Sequence, residues 1–244
     1  MRYITTTIIL FIMIFSILLS ACRSETSTGK ESDDVISEPT NSPLTYDLPS
    51  PETGGHVSVE EALNSRRSRR NFQDTALSIE HLSQILWAAY GISDGDRLRT
   101  APSAGALYPL EIYVLVGNIT GVEPGVYLYV PGEHKIIRTL DSDIRAELSD
   151  AALSQDMVRD APMSVVYTAV YDRITERYGE RGRDRYVLIE IGHSAQNIYL
   201  QAEALGLGTC AIGAFTDETV SALLELPEYA TPLYIMPVGH RPQE

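Results

Sequence analysis

Cysteine is nearly missing from this sequence. Cys22 and Cys210 are the only two, too few for a disulfide framework or a cysteine-rich zinc site. Basic charge is also scarce, since 19 Lys and Arg stand against 33 Asp and Glu for a formal net charge of -14. Contacts to a phosphate backbone need basic surface, so general nucleic-acid binding is excluded. Lysine is confined to Lys30 and Lys135. His56, His81, His134 and His240 have no metal-ligand spacing, so no metal site is expected. There is no internal repeat and no regular alternation of strand and helix. What is present is globular: 244 residues, 44% of them hydrophobic, enough for one domain of ordinary size.

The amino terminus stands apart from the rest. Arg2 precedes an apolar run from Ile8 to Leu19, followed by Ser20, Ala21 and Cys22. A positive start, an apolar stretch and small residues before a cut make a secretory signal. Leu19-Ser20-Ala21-Cys22 resembles the lipobox of bacterial lipoproteins. That resemblance makes residues 1–21 a signal peptide and Cys22 a lipidated first residue, anchoring the protein on the extracytoplasmic side of a membrane. A plain membrane-anchor helix is the competing reading, at the lower length limit for a span. No twin-arginine signal is present near Arg2. Residues 22–55 are rich in Ser, Thr, Asp, Glu, Pro and Gly, and read as a flexible tether. The folded domain is then expected over 56–244.

Within it, Ser58 and Glu61 have capping-box spacing, which predicts a helix toward Ser65. Ser78 caps a second helix, with Ile79, Leu82, Ile85, Leu86 and Ala89 as its stripe and Gly91 as its end. Leu110–Val116, Val126–Val130, Lys135–Arg138, Met163–Val170, Cys210–Phe215 and Leu233–Val238 read as strands. A short helix is expected after Asp141 and another after Thr216. The longest periodic stretch is Asp184 to Leu205, a helix apolar around much of its circumference and so central or interfacial. The mixture predicts an α+β fold.

Three stretches could carry chemistry. In Ser65-Arg66-Arg67-Ser68-Arg69-Arg70-Asn71-Phe72, four arginines fall within five positions of a net-acidic chain. Such crowding raises mutual repulsion unless an anion offsets it, and the guanidinium fork suits phosphate. A solvated helix end is the alternative for this stretch taken alone. Pro102-Ser103-Ala104-Gly105 opens a small-residue loop before a strand, where backbone can approach a flat ligand. Gly206-Leu207-Gly208 follows a helix and leads to Ile212-Gly213-Ala214. It is no dinucleotide fingerprint, because no strand precedes it.

Taken together these stretches resemble the FMN-dependent nitroreductase superfamily, in its SagB/thiazole-oxidase (McbC-like) branch. The matching residues are Arg66-Arg67-Ser68-x-Arg70, Pro102-Ser103-Ala104-Gly105-x-Leu107-Tyr108-Pro109, Arg185-Tyr186, Glu190-x-Gly192-His193 with Asn197, Gly206-Leu207-Gly208, Gly213-Ala214-Phe215 and Pro237-Val238-Gly239. The resemblance implies a mostly antiparallel sheet flanked by helices, with a long central helix in a homodimer core and FMN at the subunit interface. Arg66, Arg67 and Ser68 would hold the phosphate and ribityl chain, and Arg70 the pyrimidine side. Pro102, Ser103, Ala104 and Gly105 would come from the partner subunit. Ile212, Gly213 and Ala214 would lie beside the redox edge, and Arg241 would add a last phosphate-binding cation. The implied activity is transfer of a hydride or two electrons through the flavin to or from a small organic substrate, with NAD(P)H as a possible donor.

One position departs from the branch. Its azoline dehydrogenases carry a Lys-Tyr pair ahead of the long helix, where this chain has Arg177-Tyr178. Arginine stays protonated and is a poor base. Peptide heterocycle oxidation therefore does not follow from the resemblance, and Tyr178 is the one catalytic candidate the pair leaves. A non-catalytic lipoprotein of the same fold, binding flavin or another planar anion, is the alternative function.

Overall fold

The structure is a computed structural model describing residues 43–95 and 97–242. The signal peptide, Cys22 and the tether up to residue 42 lie outside the described residues. Among the described residues no helix is long and apolar enough to cross a membrane.

The elements run β1 (Thr45–Asp47), α1 (Val59–Ser65), α2 (Ile79–Tyr90), β2 (Ile92–Asp94), β3 (Leu98–Arg99), β4 (Leu110–Val116), β5 (Gly125–Val130), β6 (Lys135–Leu140), α3 (Arg145–Ala151), α4 (Asp156–Asp160), β7 (Met163–Val170), α5 (Asp172–Tyr178), α6 (Val187–Ala204), β8 (Leu207–Thr209), α7 (Asp217–Leu223) and β9 (Ala230–His240). Seven strands form one sheet in the order β1-β6-β5-β4-β7-β9-β8, with every strand pair antiparallel. The fold is α+β, as the mixed pattern predicts.

Helices cover both faces of the sheet, which is why its central strands β4 and β7 are mostly apolar and buried almost throughout rather than alternating. On β4, Leu110, Ile112, Val114 and Val116 join one core with Leu82, Ile85 and Leu86 of α2 and Ile191, Ala195 and Ile198 of α6. Tyr113 and Leu115 enter the opposite core with Leu148 of α3, Val158 of α4 and Val220 of α7. Successive residues point to opposite faces, so a slip of one register position would exchange the two cores.

Local signals set the helix ends. The Ser58 hydroxyl accepts the Glu61 N–H at 3.1 Å. Ser78 Oγ accepts the His81 N–H at 3.3 Å, and the Ser78 N–H returns to His81 Nδ1 at 3.3 Å, closing a capping box. α2 stops at Gly91, where a Cβ would run into the Trp87 side chain.

Three expectations change. The domain reaches back past the composition boundary at residue 55. β1 pairs with β6, Leu48 is buried, Ser83 Oγ donates to Pro49 O at 2.6 Å, and Gln84 Nε2 donates to Glu52 O at 3.0 Å. Backbone pairing and side-chain bonds to the main chain hold this strap, so its own composition carries little apolar signal. The helix expected from Asp184 begins as a π turn over Gly182–Tyr186 and becomes α-helical only at Val187. The strand expected over Cys210–Phe215 is instead β8, slightly earlier, followed by a single bridge between Ile212 and Ile235.

Candidate functional site

The arginine segment leaves the end of α1 and runs beside β8. The Arg69 N–H donates to Thr209 O at 2.9 Å. Arg67 Nη1 donates to Asn64 O at 2.9 Å and Arg66 O at 2.8 Å, carbonyls at the α1 terminus. Arg66 stacks 5.1 Å from the ring centre of Tyr199 on α6. The Tyr199 hydroxyl lies 3.0 Å from Ser68 Oγ and accepts the Ala211 N–H at 2.9 Å. One phenol thus joins the arginine segment to the stretch after β8 that carries Ile212, Gly213 and Ala214. Ile212 is tied to Ile235 by paired backbone bonds, and Gly213 and Ala214 are left exposed beside it.

Arg67, Ser68, Arg69, Arg70, Asn71, Arg241 and Pro242 line an open basin of about 850 Å³. Arg66, Arg67 and Arg70 have no carboxylate partner within 4.0 Å among the described residues. Arg69 and Arg241 are turned inward. Arg241 Nη1 pairs with Glu203 Oε1 at 3.0 Å, its Nη2 donates to Glu203 O at 2.9 Å, and its Nε donates to Leu207 O at 2.9 Å. Arg241, expected as a phosphate ligand, borders the basin and spends one N–H of each of its three nitrogens on Glu203 and Leu207. Beneath the basin, burial pushes the Cys210 thiol pKa up, and the Arg70 charge opposes that shift.

The second predicted group lies toward the other end of α6. Ser103 Oγ accepts the Tyr108 N–H at 2.9 Å, and Ala104–Ala106 form one 3-10 turn. Gly105, Ala106 and Tyr108 all have positive φ, at 64°, 53° and 49°. Non-glycine residues in this region store strain, which the surroundings must hold. The support comes from α2, α6 and β3. Glu190 is 2% exposed and accepts the Tyr90 hydroxyl, while Arg99 stacks 4.2 Å from the Tyr90 ring and 4.5 Å from the Tyr108 ring. Burial holds the Glu190 carboxyl above the usual range, opposed by Tyr90, Ser103, the Arg99 charge and the Ala104 amide. Tyr178 ends α5 against this loop, so that a Cβ on Gly105 would lie 2.8 Å from its Oη and 3.1 Å from Arg177 Nη1.

Within one chain the two groups stay apart. Tyr199 marks the first and Glu190 the second, nine residues along α6, or about 13 Å at the helical rise. Between and beside them α6 leaves Leu188, Ile189, Gly192 and His193 exposed, and α1 leaves Val59 and Leu63 exposed. Sequence reasoning did not single out Tyr199 as a link, nor Tyr90 and Arg99 as loop supports. Tyr199 gave only an apolar signal on a helix, and its polar partners are distant in the chain.

The fold is an antiparallel α+β domain that carries an arginine-lined basin and a strained small-residue loop. The chain belongs to the nitroreductase family, whose model matches residues 63–240. It is 48% identical over 185 residues to a Methanocaldococcus jannaschii protein named as a nitroreductase, covering 76% of this chain and 92% of that one. It is 28% identical over 184 residues to the microcin B17-processing protein McbC of Escherichia coli, covering 70% and 67%. This agrees with the SagB/McbC-like branch that the motifs resemble. It is 26% identical over 187 residues to an NADPH-dependent FMN reductase of Bacillus subtilis, covering 75% of this chain and 65% of that one. A Ralstonia eutropha crystal structure, also named as a nitroreductase, matches with a TM-score of 0.70 and 26% identity, over 82% of this chain and 90% of that one.

Proposed function

We propose that the protein is an FMN-dependent oxidoreductase, working as a homodimer and carried outside the cytoplasm on a lipid at Cys22. The observation that carries this reading is the basin lined by Arg67, Ser68 and Arg70, with Arg66 on the Tyr199 ring next to Ser68, whose donors no carboxylate of the described residues takes up. These donors suit a phosphate monoester, and the exposed backbone at Gly213 and Ala214 leaves room for a flat ring nearby. When bound, FMN would supply the transfer of a hydride or two electrons. The chain's own residues bind and orient: Arg66, Arg67 and Ser68 hold the phosphate, and Arg70 places positive charge near the ring, favouring added negative charge. Arg241 braces the basin from below through Glu203 and Leu207.

The separation along α6 and the exposed apolar residues Leu188 and Ile189 support a two-subunit site. In it, Pro102, Ser103, Ala104 and Gly105 of one chain face the arginines of another. The similarity to an NADPH-dependent FMN reductase supports NAD(P)H as the electron donor. The full chain, purified and mixed with FMN, is expected to carry flavin absorbance through gel filtration and to lose it anaerobically on addition of NADPH or NADH. A colourless protein that leaves FMN fluorescence unquenched would contradict the reading. A flavin that stays bound and oxidised under either nucleotide would favour a non-catalytic flavin carrier.

A further inference from the structure

Several arginines of this acidic chain are neutralised: Arg138, Arg145, Arg159 and Arg173 each pair with a carboxylate. A second group besides the basin has no such partner among the described residues: Arg177, Arg181, Arg183 and Arg185, on α5 and the π turn that follows. The same stretch holds Asp172, Glu176, Glu180 and Asp184, yet none of these pairs with those arginines within 4.0 Å. The guanidiniums of Arg177, Arg181 and Arg183 lie over tyrosines instead. Arg177 is 5.3 Å from the Tyr178 ring, Arg181 is 5.9 Å from the Tyr186 ring with its Nε donating to Tyr186 Oη at 3.1 Å, and Arg183 is 4.6 Å from the Tyr171 ring. Tyr178 and Tyr186 meet edge to face at 5.1 Å, so Arg177, both rings and Arg181 form one continuous ladder.

A guanidinium lying over an aromatic face keeps N–H donors in its own plane for a second partner, and its planar fork matches a carboxylate or phosphate. The position of the ladder matters as much as its chemistry. Arg177 Nη1 and Tyr178 Oη converge on Gly105, in the loop where Ala106 and Tyr108 hold positive φ. The π turn over Gly182–Tyr186 presents Arg183, Arg185 and Tyr186, and such irregular turns occur often at functional sites.

We propose that Arg177 and Arg181, set on Tyr178 and Tyr186 beside the 103–108 loop, form a second anion site that selects a substrate bearing a carboxylate or phosphate group. This deepens the oxidoreductase reading and rests on its assignment of that loop to the flavin site. A guanidinium is a poor base, so the pair holds and orients the anionic end while any proton transfer falls to another group.

The test is calorimetric titration of the full chain, with and without FMN, at fixed ionic strength. The probes are benzoate, phenyl phosphate and neutral benzamide. Benzoate or phenyl phosphate is expected to bind at least about ten-fold more tightly than benzamide, as one charge-assisted hydrogen bond allows. The stronger of the two identifies the group selected. Arg177→Ala and Arg181→Ala should each remove about ten-fold of that preference, and Arg177→Lys should restore part of it. Arg159→Ala, on the far ion pair with Asp156, should leave the preference intact. Equal binding of benzamide and both anions, or an undiminished preference in Arg177→Ala, would overturn the proposal. A preserved anion preference in a chain that fails to bind FMN would leave this site standing and sink the flavin reading alone.

Discussion

The Tyr199 hydroxyl fixes two segments at once, meeting Ser68 Oγ and the Ala211 N–H. At this scale the candidate site is a matter of which donors are spent and which are free. Arg67 spends one nitrogen on the α1 terminus, Arg241 spends its donors on Glu203 and Leu207, and Arg66 and Arg70 keep theirs. The free ones were legible in the sequence because they crowd together within five positions. The role of Arg241 was not, since its partners stand 34 and 38 residues away. Arg241→Ala should lower stability by about 1–3 kcal/mol, by leaving two carbonyls and Glu203 short of a donor, and urea unfolding measures this. The same variant should bind FMN and riboflavin in the wild-type ratio. A selective loss of FMN would return Arg241 to the phosphate.

Elements with a strong local pattern were legible in outline. β4 and β7 show as apolar runs, α2 as a capped stripe, and α6 as a long periodic stretch. Elements held by distant partners were not. β1 is three residues of a polar stretch, completed by β6 and by side chains of α2. The π turn before α6 has no period of its own to read. A chain shortened to begin at His56, where composition puts the domain start, loses the buried Leu48 and the bonds to Ser83 and Gln84. It should unfold more easily than a chain beginning at residue 43, by about 2 kcal/mol for the leucine alone. Equal denaturation midpoints would show that the strap is not part of the stable fold.

Among the described residues α1 and α6 present apolar side chains, and the two candidate binding groups pack against separate parts of α6. In the two-subunit reading proposed above, a second copy covers Leu63, Leu188 and Ile189 and brings the two groups together. Light scattering of the soluble domain from residue 43 onward at micromolar concentration should therefore give twice the monomer mass, and a flavin-binding monomer would contradict the shared site. The most direct measurement of the central claim, that the arginine basin holds the phosphate of FMN, is a paired fluorescence titration. FMN and riboflavin differ only in that phosphate. Arg66→Ala should weaken FMN binding by about ten- to a hundred-fold, the worth of one charge-assisted hydrogen bond, and riboflavin much less. Arg97→Ala, outside the basin, should change neither. Equal losses of FMN and riboflavin in Arg66→Ala would show that Arg66 supports the fold and that the phosphate, if bound, lies elsewhere.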